Sequence, residues 1–137
     1  TINLIEALMR KLLVVWTLLM LTGRMGGFAQ TPTRFIFFKT DADENENPAA
    51  IVYVHFANKM TQIAKITGNA ELIDKKEFAE KGIPKNAIAA CGAWWAGAGD
   101  YFYLLKTPKG IAIYKGWQDE SQQDKGYHWT KLKEISQ

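Results

Sequence analysis

Hydrophobic positions fall into runs of six to eleven residues separated by polar or glycine-proline breaks, and this spacing predicts strands rather than long helices. The first run stands apart. Arg10-Lys11 precede an uninterrupted apolar stretch of 11 residues, Leu12 to Thr22, and Gly23 to Ala29 (GRMGGFA) then supply small residues. Gly27 and Ala29 take the −3 and −1 positions of a cut before Gln30. Charge, apolar run and small-residue exit in that order predict a signal peptide over residues 9–29, and 11 residues are too few to span a bilayer. Met9 is the expected start, with residues 1–8 (TINLIEAL) a leader upstream of it. The remainder, 30–137, is expected to be a single β-rich exported domain, in a bacterial periplasm or outside the cell.

Within that domain Arg34 to Lys39 (RFIFFK) reads as a strand buried on both faces. Asp41 to Pro48 is an acidic surface loop, and Ile51 to Phe56 (IVYVHF) a β-branched and aromatic strand. Ala57-Asn58-Lys59 turns the chain, since Asn tolerates the left-handed region, and Met60 to Thr67 returns antiparallel. Its apolar positions at 60, 63 and 66 are partly helical in spacing. Asp74, with Glu77 three residues on, predicts a capped helix from Lys75 to about Lys81, ending at Gly82 before Pro84. Tyr101 to Lys106 and Ile111 to Trp117 form a hairpin around Thr107-Pro108-Lys109-Gly110. Asp119 to Gly126 is a polar loop. Tyr127 to Ile135 is a lysine-bearing edge strand with Tyr127, Trp129 and Ile135 on one side. The expected fold is therefore mainly β: an antiparallel five- to six-strand small barrel or sandwich with one short helix.

Charge narrows the function classes. The whole chain is +3, but Arg10, Lys11, Arg24 and Glu6 all precede Gln30, leaving 14 basic and 13 acidic residues and a net charge of +1. Nothing in that balance attracts nucleic acid or an anionic membrane, and no stable membrane insertion is expected after signal removal. Cys91 is the single cysteine, so no internal disulfide can form and no acylated cysteine marks the cut.

Catalytic and metal motifs do not assemble. Cys91-Gly92-Ala93-Trp94-Trp95 is similar to the cysteine-protease stretch C-G-[SA]-C-[WY], yet the nucleophile position holds Trp94. Cys91 among alanines reads as a small core residue, with a Cys91–His55 or Cys91–His128 enzyme as the rival. Asp41 to Asn47 alternates oxygen side chains as a calcium loop does, but Glu46 and Val52 occupy the positions that need Gly and a bidentate Glu. His55 and His128 lack the spacing of a zinc site. Gly97-Ala98-Gly99-Asp100 opens a strand where a phosphate loop would open a helix. No cofactor and no metal is expected.

What remains is aromatic. Trp94 and Trp95 are neighbours, so in an extended chain they face opposite ways and one points out. The expected ligand-binding residues are Trp94, Trp95, Asp100, Trp117 and Trp129, since flat indoles beside carboxylates and amides suit sugar rings or a partner's apolar anchors. The expected function is a non-enzymatic binding module for a glycan or for a protein such as a secreted hydrolase. An envelope assembly component pairing through the edge strand is a further rival. Oligomeric state has no signature in the sequence.

Overall fold

The structure is a computed structural model that describes residues 31–42 and 44–137, and Glu6 before them. The expected signal peptide, and the leader apart from Glu6, lie outside the described residues, as does Asp43 of the acidic loop. Eight strands follow in chain order: β1 (Arg34–Thr40), β2 (Ala49–Phe56), β3 (Lys59–Thr67), β4 (Glu71–Leu72), β5 (Ala89–Trp95), β6 (Ala98–Lys106), β7 (Gly110–Asp119) and β8 (His128–Ser136). They make two antiparallel sheets in sequential order, β1-β2-β3 and β4-β5-β6-β7-β8, and neither closes into a barrel. Of the two architectures expected, the sandwich is the one formed.

The inner faces meet in one core. Phe35, Val52, Val54 and Ile66 come from the three-stranded sheet, and Cys91, Phe102, Leu104, Ile111 and Ile113 from the five-stranded one. The opposite face of the larger sheet is also apolar, with Ala90 and Tyr103 buried. Phe78, Ile83 and Ala87, from the connection between β4 and β5, pack on it as a second cluster. Burying an aromatic such as Phe78 is worth about 1.5–3 kcal/mol, and Ile83 and Ala87 add to that anchoring.

Several elements differ from the sequence expectation for identifiable reasons. The helix over 75–81 is only a 3-10 turn, Lys75–Glu77. Asp74 caps it by accepting from Lys76 N at 3.0 Å, but Gly82 and Pro84 follow too soon for an α-helix to propagate past its nucleus. β1 buries Phe35 and half-buries Phe37 on one face only; Phe38 is 50% exposed, because it lies on the face of the smaller sheet turned away from the core. β5 carried no strand signal: its AACGA segment lacks β-branched residues. Small side chains suit a strand pressed between two layers. Part of the loop expected over 119–126 winds into a second 3-10 segment, Glu120–Lys125.

Two bulges account for the irregular hydrophobic spacing. In β3 the register passes from Ala64 opposite Val52 to Gln62 opposite Tyr53, so Ile63 is an extra residue. Ile63 and Ala64 therefore both pack on the core, which mimics helical spacing in the sequence. In β8 the extra residue is Leu132. It reverses the alternation, sending Ile135 to the inter-sheet core and Trp129 to the opposite face, instead of one shared side.

The hairpin at Thr107–Gly110 forms as expected, with Thr107 N donating to Gly110 O at 2.9 Å. Gly110 is needed here for space: a Cβ on it would lie 2.0 Å from the Ile135 carbonyl oxygen of β8. Gly110→Ala is expected to destabilise the protein by about 1–3 kcal/mol, as for other overpacked sites. Urea denaturation would show this as a lowered midpoint, and an unchanged midpoint would contradict the tight approach of β8.

Candidate functional site

At the Trp95 end of β5 the larger sheet meets the end of β3, where a Cβ on Gly68 would lie 3.3 Å from that of Trp95. Along β6 the inner-face residues Leu104 and Phe102 are fully buried, while Asp100 is half-buried. Register places Ala93, Asp100, Trp117 and His128 side by side across β5, β6, β7 and β8. Trp95 lies one residue pair further on, beside Ala98. The tight β5–β6 turn, with Ala96 and Gly97 at φ 50° and 85°, sets this register.

These residues border a groove of about 310 Å³ lined by Thr67, Trp95, Ala98, Gly99, Asp100, Trp117 and Gln118. Trp95 and Trp117 are 39% and 41% exposed. Neither indole hangs free. Trp95 Nε1 donates to Asn47 Oδ1 at 3.2 Å, tying the ring to the acidic loop. Trp117 stacks on His128 with centroids 4.6 Å apart and planes at 22°. His128 is itself held through Nε2 to Gln122 Oε1 at 3.2 Å. Asp100 Oδ1 sits 3.5 Å from Lys115 Nζ, both side chains about two-fifths exposed. A pair so long and so wetted contributes little to stability, which leaves the carboxylate able to exchange partners.

Of the five residues singled out from the sequence, the structure brings together Trp95, Asp100 and Trp117. Trp94 and Trp129 lie on the opposite face. Trp94 is 40% exposed there and packs near Gly99. Trp129 is half-buried and pinned: its Nε1 donates to Lys81 O at 2.8 Å, its ring lies over Gly116, and Tyr103 meets it edge-on at 4.7 Å. Tyr101, Tyr127 and Lys81 complete that aromatic layer, with Lys81 Nζ 3.2 Å from the Tyr127 hydroxyl. Burial there, and Tyr127 beside it, push the Tyr101 phenol well above its ordinary pKa. Sequence reasoning missed Thr67, Gln118, Asn47 and His128 as neighbours of the groove. Only the β7–β8 register puts His128 beside Trp117, and no local pattern brings Thr67 or Asn47 to Trp95.

The other candidate chemistries are placed as follows. Cys91 is fully buried in the inter-sheet core, and desolvation pushes its thiol well above the usual range. A nucleophilic cysteine needs the reverse, a lowered pKa in a partly exposed and electropositive setting. Among the described residues no three His, Cys, Asp or Glu side chains group as metal ligands. No helix among the described residues is long and apolar enough to cross a membrane.

Cys91 is expected to resist iodoacetamide in the native protein and to react on unfolding in guanidinium. Rapid native labelling would contradict its burial. Comparison with known proteins finds no family model, no curated protein and no solved structure that this chain matches.

Proposed function

We propose that this chain is a non-enzymatic binding module that works outside the cytoplasm and holds a glycan in the groove between Trp95 and Trp117. The observation that carries the reading is the pairing of two partly exposed, fixed indoles with Asp100 on one face of the sheet. Sugar rings present flat C–H faces and equatorial hydroxyls, so they need an aromatic surface and hydrogen-bonding groups at its margin. The groove offers both, with Thr67 and Asp100 as polar side chains in its lining. Fixing the indoles in advance lowers the ordering cost of binding. Export rests on the Arg10-Lys11, Leu12–Thr22 and Gly23–Ala29 pattern, and it places the module where cell-wall and extracellular glycans are found.

The test is tryptophan fluorescence with acrylamide quenching of the protein from Gln30, titrated with a panel of neutral cell-wall and extracellular glycans. One member is expected to shield the exposed indoles and to be recovered chemically unchanged. Trp117→Ala is expected to weaken that binding about tenfold, as for loss of one stacked aromatic contact. Quenching that no glycan alters would overturn the reading. Hydrolysis of the bound glycan would overturn its non-enzymatic part.

A further inference from the structure

The two indoles are not placed to share one ring. Trp95 is on β5 and Trp117 on β7, with β6 between them and one residue pair of offset along the strands. Ordinary strand spacing and rise then put their Cα atoms about 12 Å apart on the diagonal. The rings are also oriented. His128 on β8 covers the side of Trp117 away from β6, so the indole's other face is turned toward Asp100 and Trp95. Ala98, between the two indoles, leaves the floor of the groove low. Asp100 stands on that floor, next to Trp117 in register.

Resting on the glycan reading above, we infer that the groove takes a linear oligosaccharide laid diagonally across β6. Trp95 and Trp117 stack on different sugar rings, and Asp100 accepts from hydroxyls of the segment between them. The ligand is thus a chain, recognised over linked units, and a single sugar fills only half of the site. His128 acts as a positioning residue, backing Trp117.

The experiment is isothermal titration of the protein from Gln30 with two ladders, chito-oligosaccharides and cello-oligosaccharides, from monosaccharide to hexasaccharide. Affinity on one ladder is expected to rise at least about tenfold between the monosaccharide and the trisaccharide, then level off. Trp95→Ala and Trp117→Ala should each remove most of that rise, and Trp95→Phe and Trp117→Phe should keep part of it. Circular dichroism of each variant reports whether the fold is kept. An affinity that is flat along the ladder, with both alanine variants weakening the monosaccharide equally, would show one ring clamped by both indoles. That result overturns this inference while leaving the glycan reading standing. No binding on either ladder overturns this inference, whereas binding of another member of the wider glycan panel would still preserve the proposed function.

Discussion

Everything in this fold depends on the five-stranded sheet being apolar on both faces. Phe102, Leu104, Ile111 and Ile113 point one way, and Ala90 and Tyr103 the other, all of them buried. A sheet of this kind cannot face water on either side, so the chain supplies two covers. The three-stranded sheet covers one face. The segment from Ile73 to Ile88, anchored by Phe78, Ile83 and Ala87, covers the other. β5 lies in the larger sheet between these layers, and its run of Ala, Cys and Gly is the compositional trace of that position.

The covers also decide where chemistry is available. Cys91 falls under the smaller sheet and is withdrawn from solvent. Trp129 falls against the Lys81 carbonyl and spends its indole N–H on holding the outer segment down. Trp95 and Trp117 lie where Thr67, the last residue of β3, borders the groove, and Asp100 joins them there. The same alternation that buries Phe102 brings Asp100, two residues earlier, onto the face that becomes the groove. The groove continues the inner face of the larger sheet from the core into solvent.

Much of the fold was legible where a strand had both β-branched or aromatic residues and a turn with a mechanism. Ile51–Phe56 with Ala57-Asn58, and the strands flanking Pro108 and Gly110, are of this kind. β5 was not legible, because its side chains are set by what packs on them and not by strand propensity. The capping signal at Asp74 was real, yet it starts only one 3-10 turn, since a cap fixes where a helix begins and not how far it propagates. Spacing at Ile63 and in β8 misled through bulges, which shift parity by one residue and leave no local mark. For the site, the residue types were visible and their partition was not. Trp94 and Trp95 separate by alternation alone, whereas assigning Trp117 to the face of Trp95, and Trp129 to that of Trp94, requires the register of four strands.

The most direct measurement is a proton–nitrogen correlation spectrum of the tryptophan indole N–H groups, recorded with and without a bound oligosaccharide and assigned by single Trp→Phe variants. The resonances of Trp95 and Trp117 should shift together on binding. Those of Trp94 and Trp129, on the other face, should stay in place. Shifts confined to Trp94 or Trp129 would place the ligand on the opposite face and contradict the account.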